Sequence, residues 1–93
     1  MLTSNEYFEG KVKSIALKNS ALPATVGVMD IGEYTFGTSE KETMSVVSGE
    51  LVVKLPEENE WKSYKDGDSF IVEANKSFDL KVSVQTAYFC TYG

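Results

Sequence analysis

Histidine and arginine are both absent from the chain, and each absence removes a class of chemistry. Histidine is the usual acid–base group near neutral pH and the commonest metal ligand. Arginine is the usual bidentate clamp for phosphate. Any chemistry therefore falls to carboxylates, lysines, hydroxyls, backbone amides and aromatic faces. The single cysteine, Cys90, leaves no internal disulfide to form, which fits a reducing compartment. With no histidine to activate it, Cys90 reads as a small buried strand residue. No apolar run approaches the roughly 18 residues of a membrane-spanning helix. The opening Met1-Leu2-Thr3-Ser4-Asn5-Glu6 lacks the basic and then apolar pattern of a signal peptide. The expected location is cytoplasmic, with no membrane partner. Fourteen acidic residues against nine lysines give a net charge of −5. Non-specific nucleic-acid binding rests on basic side chains neutralising phosphates, so no nucleic-acid partner is expected.

What the chain does contain is a succession of short alternating segments with no long helical period. A length of 93 residues suggests one domain spanning 1–93. The spacing predicts strands over Tyr7 to Leu17, broken at Gly10, then Thr25 to Ile31 and Glu33 to Thr38. A polar turn is expected over 18–23. Glu42 to Val47 and Glu50 to Leu55 flank a turn at Ser48-Gly49. Trp61 to Tyr64, Ser69 to Glu73, Ser77 to Ser83 and Thr86 to Tyr92 follow. Asp66-Gly67 supplies the positive φ of a tight hairpin. Leu51, Val53 and Leu55 share one face while Glu50 and Lys54 take the other, and Phe78, Leu80 and Val82 oppose Ser77, Asp79 and Lys81. About eight or nine such strands make an all-β antiparallel barrel or sandwich.

Two stretches resemble the paired motifs of the cupins. In Glu42-Thr43-Met44-Ser45-Val46-Val47-Ser48-Gly49 a glutamate and a turn glycine are separated by six residues. The stretch Gly67 to Phe78 resembles the second motif, with Glu73-Ala74-Asn75 where Pro-x-Gly is usual. Asn tolerates the left-handed conformation that the glycine would supply. The resemblance implies an RmlC-like antiparallel β-barrel or jelly roll. It also places Phe36, Thr38, Glu42 and Phe78 at the positions where metal cupins carry three histidines and a glutamate. One carboxylate is too few ligands for a transition metal, so neither metal nor other cofactor is expected.

Read end to end, the chain resembles the small bacterial pyrimidine/purine nucleoside phosphorylases. The similarity runs through Ser4 to Phe8, Gly10 to Ser14, Thr25 to Met29, Gly32 to Phe36, Met44 to Gly49, Lys54-Leu55-Pro56 with Trp61, and Ala87 to Tyr92. It implies phosphorolysis of purine and pyrimidine nucleosides by inorganic phosphate, giving ribose 1-phosphate and free base, reversibly. Pro23-Ala24 and Thr91 stand where relatives carry arginine, and Ala74 stands where proline is usual.

Cleaving an N-glycosidic bond passes through a ribosyl cation, as in glycoside hydrolysis. Glu42 is the candidate to hold the ribose hydroxyls and stabilise that cation. Thr38 offers a hydroxyl beside it. Phe36, Phe78, Tyr34 and Tyr88, with Trp61, are candidates to stack on the base, because every base has a π-face. Lys11 and Lys13 are two apart and share a face; they are the leading phosphate candidates, with Lys54, Lys81 and the amides near Gly27, Gly32 and Gly49 as further donors. A chain this small encloses a site better as a homodimer, which is the expected assembly. Two other readings fit the same residues: a non-catalytic, metal-free cupin that binds a nucleoside- or sugar-like ligand, and a structural or interaction protein.

Overall fold

In the computed structural model, which describes residues 1–19 and 21–93, the alternating segments form ten strands. The polar turn expected over 18–23 includes Ser20, which lies outside the described residues. The strands are β1 (Ser4–Tyr7), β2 (Val12–Leu17), β3 (Ala24–Met29), β4 (Gly32–Gly37), β5 (Glu42–Ser48), β6 (Glu50–Lys54), β7 (Lys62–Lys65), β8 (Ser69–Val72), β9 (Ser77–Val82) and β10 (Thr86–Tyr92). All pairings are antiparallel. One sheet runs β1-β2-β3-β10-β5-β8 and the other β4-β9-β6-β7. No helix among the described residues is long and apolar enough to cross a membrane.

The first expected segment splits in two. Phe8, Glu9 and Gly10 all adopt positive φ, at 52°, 59° and 87°. This turn folds β1 back on β2, pairing Ser4 with Ile15 and Tyr7 with Val12. The left-handed conformation costs a non-glycine residue about 1–2 kcal/mol. Contacts of the Phe8 ring, 5.0 Å from Tyr34 and 5.2 Å from Phe36 between centroids, offset part of that.

Alternation sorts each strand into an inner and an outer row. The inner rows meet between the sheets as one core, including Val12, Met29, Met44, Leu51, Val53 and Leu80. The barrel closes by this packing and not by a continuous hydrogen-bond ladder, because β1 and β8 edge one sheet and β4 and β7 the other. The turn chemistry follows the sequence. Gly67 has φ 88° and Asn75 has φ 61°, and the Asp68 amide donates to the Lys65 carbonyl at 2.8 Å.

The two ends of the barrel differ. At one end the strands are joined by tight turns, among them Gly49 and Asp66-Gly67. At the other end longer segments gather and are tied by backbone bonds. The Thr38 amide donates to the Lys76 carbonyl at 2.8 Å, Tyr92 to Pro23 at 3.0 Å and Gly93 to Lys41 at 2.7 Å. Glu42 opens β5 at this second, loop-bearing end.

Candidate active site

The site is built from the inner rows of β3, β5 and β10. Antiparallel register sets Tyr92 opposite Glu42 and Cys90 opposite Met44 on one side, and Cys90 opposite Thr25 and Tyr88 opposite Gly27 on the other. Ser14 of β2 lies across from Gly27. These positions put one carboxyl, one thiol, two phenols and two aliphatic hydroxyls on adjoining inner positions. Glu42, Thr25, Tyr92, Phe36 and Asn5 are only partly buried, while Cys90, Tyr88 and Ser14 are buried. Solvent therefore reaches the inner face at the Glu42 end and stops at Cys90 and Tyr88.

The polar groups are linked. The Cys90 thiol donates to Glu42 Oε1 at 3.6 Å, and the Thr25 and Tyr92 hydroxyls share a hydrogen bond at 2.9 Å. Gly27 makes room for Tyr88. A Cβ on Gly27 would lie 2.6 Å from the Tyr88 ring and hydroxyl, so a side chain there would drive the phenol out of place. Burial raises the Glu42 carboxyl above the ordinary glutamate value; the Cys90 hydrogen bond opposes this and Glu40 adds to it. Burial likewise pushes the Cys90 thiol up to about 12, with the Glu42 charge second. Cys90 thus stays a neutral thiol near pH 7, which suits a hydrogen-bond donor and not a nucleophile. Tyr88 is pushed up to about 12 by burial first and the Cys90 charge second. Tyr92 is also raised, chiefly by burial, against the Thr25 hydrogen bond. At neutral pH the cluster presents one ionisable carboxyl amid neutral donors.

An aromatic wall faces this cluster from the other sheet. Phe36 stacks on Phe78 with centroids 5.8 Å apart and planes 25° apart, and Phe78 meets Phe70 edge-on at 6.1 Å. Phe78 is buried and Phe36 half-buried, so Phe36 offers the accessible face.

The structure gathers some of the residues expected from the sequence and disperses others. Glu42, Tyr88, Phe36 and Phe78 occupy inner positions as expected. Tyr34 is inside but at the tight-turn end, where its hydroxyl donates to the Asp30 carbonyl at 2.7 Å. Thr38 holds a turn. Its hydroxyl donates to the Glu73 carbonyl at 2.7 Å and accepts from the Lys76 amide at 3.0 Å, which uses its bonding capacity. Lys11 and Lys13 share a face as expected, but it is the outer one. With Val12 and Ser14 buried, the two lysines fall on the outer row. Lys13 bridges to Glu6 at 3.3 Å, and Lys11 lies with Asp30 in a surface depression at the tight-turn end. Trp61 lies outside as well, beneath Lys81 Nζ at 4.3 Å. Thr25, Ser14 and Tyr92 were not anticipated. The two-residue spacing of Tyr88, Cys90 and Tyr92 was the available signal for Tyr92. Among the described residues no three Asp, Glu or Cys side chains are grouped so as to hold a metal ion.

Fold and site together define a cupin-type protein whose inner positions carry one carboxyl, neutral hydroxyls and aromatic rings. The family model for pyrimidine/purine nucleoside phosphorylase matches residues 2–92. The chain belongs to that family. It is 67% identical over 92 residues to a protein of Teredinibacter turnerae named pyrimidine/purine nucleoside phosphorylase, covering 99% of this chain and 98% of that protein. A Saccharophagus degradans protein of the same name is 63% identical, with 99% and 98% covered. Among solved structures, a Vibrio parahaemolyticus protein of unknown function superposes with a TM-score of 0.96 at 48% identity, over 100% of this chain and 99% of that one. An RmlC-like cupin of Shewanella frigidimarina superposes with a TM-score of 0.76 at 26% identity, over 94% and 79%.

Proposed function

We propose that residues 1–93 form one domain that phosphorolyses purine and pyrimidine nucleosides with broad base tolerance, reversibly, and without metal or cofactor. Inorganic phosphate attacks C1′ of the ribose, the C1′–N bond breaks toward the base, and ribose 1-phosphate and free base leave. The observation that carries the reading, beside family membership, is Glu42. It is the sole carboxylate on an inward strand position among the described residues, and it sits where solvent enters. An ionised Glu42 accepts hydrogen bonds from the ribose hydroxyls and stabilises the developing cation, a stabilisation that is large in a partly desolvated site. Thr25 and Tyr92 supply hydroxyl donors to the incoming phosphate. Phe36, backed by Phe78, gives the base a face that does not discriminate purine from pyrimidine. Among the described residues the inner rows offer no cation for the phosphate. Lys41, next to Glu42 in sequence, and Lys76 lie at the same end of the barrel, and Lys76 is paired with Glu57 at 3.0 Å. We read the working unit as a homodimer in the cytoplasm.

The test is a nucleoside panel incubated with and without phosphate and scored for ribose 1-phosphate. Phosphate-dependent release of both kinds of base is expected. Glu42→Gln lowers turnover at least tenfold with the circular dichroism unchanged. In the parent the rising limb of kcat/KM against pH lies above the ordinary glutamate value, because the ionised form acts and burial raises its pKa. Binding of nucleosides without any phosphate-dependent release would favour the ligand-binding reading instead.

A further inference from the structure

Glu42 opens β5 at the end of the barrel that solvent reaches, and it is only partly buried. Glutamate is a flexible side chain, so a carboxyl in that place samples many positions unless something holds it. The antiparallel register sets Tyr92 directly opposite Glu42 and Cys90 opposite Met44. Cys90 is therefore the diagonal neighbour of Glu42 on the same inner face, a separation that long side chains can span. Its thiol donates to Glu42 Oε1 at 3.6 Å. The neutral Thr91 carbonyl, the other acceptor near the thiol, is farther at 3.8 Å. Among the described residues no ion pair includes Glu42 and no second donor reaches its carboxyl. Cys90 itself is fully buried. Burial pushes the thiol up to about 12, so it keeps its proton near pH 7 and offers the bond at all times.

We infer that Cys90 is a positioning residue, its thiol anchoring the Glu42 carboxylate through Oε1 and leaving Oε2 for the ribose hydroxyls. The inference rests on the phosphorolysis reading and adds to it the group that fixes the working carboxylate. A thiol suits this place better than a stronger donor. A cation there would neutralise the charge that a ribosyl cation needs. A thiol is a weak donor on a small apolar body, so it orients the carboxylate and withdraws little of its charge. It also fills a buried position without the demand for a second partner that a hydroxyl makes. The other groups around Glu42 do not replace it. Glu40 and Lys41 precede it in the chain, Tyr88 and Tyr92 lie on β10, and Glu73 follows the Val72 that faces it on β8. The facing wall of Phe36 and Phe78 brings no titratable group. A carboxylate fixed before the reaction stabilises developing charge without first having to reorganise.

The chain has one cysteine, so the infrared S–H stretching band reports Cys90 alone and needs no activity. A thiol bonded to a carboxylate absorbs at lower frequency than one bonded to a neutral acceptor. Near neutral pH the parent band is expected below that of Glu42→Gln, and it should rise toward it on acidification as Glu42 is protonated. Bands that coincide in the two proteins at every pH overturn the anchor. Kinetics then reads the role. Cys90→Ala and Cys90→Val both remove the donor, one leaving space and the other adding bulk. Each should lower kcat at least about fivefold while KM for phosphate stays within about twofold. The rising limb of kcat/KM should move to higher pH in both, since the thiol's bond favours the ionised carboxyl. Cys90→Ser keeps a donor and should retain more turnover than either. In the Glu42→Gln background Cys90→Val should cost less than about twofold, because the group that Cys90 positions is gone. An unmoved limb, or the same loss in both backgrounds, makes Cys90 a packing residue and overturns the proposal. If the alanine and valine variants fail to fold by circular dichroism, the band decides, since the parent and Glu42→Gln both keep Cys90. A parent that releases no base with phosphate overturns phosphorolysis and the positioning role with it, while the band still decides whether the thiol holds Glu42.

Discussion

Glu42 concentrates what a single residue contributes here. Its carboxyl is partly desolvated and its pKa raised, so the folded chain holds this proton to higher pH than the unfolded chain does. Below about 4.5, the ordinary value, the group is protonated in both states. As pH rises from there through the raised folded value, the unfolded state binds fewer protons and stability falls. The Gln variant lacks this proton. The stability of the parent minus that of Glu42→Gln should therefore be largest near pH 4 and decline toward pH 7, as read from urea midpoints at pH 4, 5.5 and 7. A difference independent of pH would show that Glu42 is not desolvated. The inward position of Glu42 was legible from its place before Gly49. The outward turn of Lys13 was not, because Lys11-Val12-Lys13-Ser14-Ile15-Ala16-Leu17 carries apolar residues on both faces, and only the burial of Val12 and Ser14 in the fold decides which row points inward.

At the scale of elements, the loop-bearing end depends on one turn. Between β8 and β9 the chain reverses through Asn75 at φ 61°, the conformation expected of an asparagine standing for glycine. Thr38 clamps this turn with its hydroxyl and with both of its backbone groups. Thr38→Val preserves the shape and removes the hydroxyl, leaving the Lys76 amide without that partner. A loss of about 1–3 kcal/mol is expected, together with faster amide exchange at Lys76; an unchanged unfolding midpoint would mean the turn stands without the clamp. The strands themselves were largely readable from period-2 alternation. The break between β1 and β2 was legible at Gly10; the left-handed Phe8 and Glu9 beside it were not, because non-glycine residues carry no local signature for that conformation, which persists through packing of Phe8 on Tyr34 and Phe36.

For the whole molecule the governing fact is that neighbours in space are distant in sequence. β10 lies between β3 and β5, and β5 pairs with β8. Thr25 and Tyr92 are joined across 67 positions and Glu42 and Cys90 across 48. Such topologies close long loops before any contact offsets the entropy. Refolding is therefore expected on the scale of about milliseconds to seconds, and stopped-flow Trp61 fluorescence after denaturant dilution measures it. A microsecond phase carrying the full amplitude would contradict that expectation. The same topology makes β3 and β10 serve two surfaces, with the row of the candidate site inside and an apolar row outside.

The sequence by itself determined the class of fold and the limits of its chemistry. Alternation, the turn residues at Gly49, Gly67 and Asn75, and the lack of histidine and arginine act locally, and they need no partner strand to take effect. Tertiary structure alone decided which residues meet. Alternation divides a strand into two rows, but it does not say which row faces the opposing sheet or which distant strand lies alongside. Those choices follow from burial summed over all ten strands. That sum turned Lys11 and Lys13 outward, committed the Thr38 hydroxyl to a turn, and brought Tyr92, Thr25 and Cys90 around Glu42.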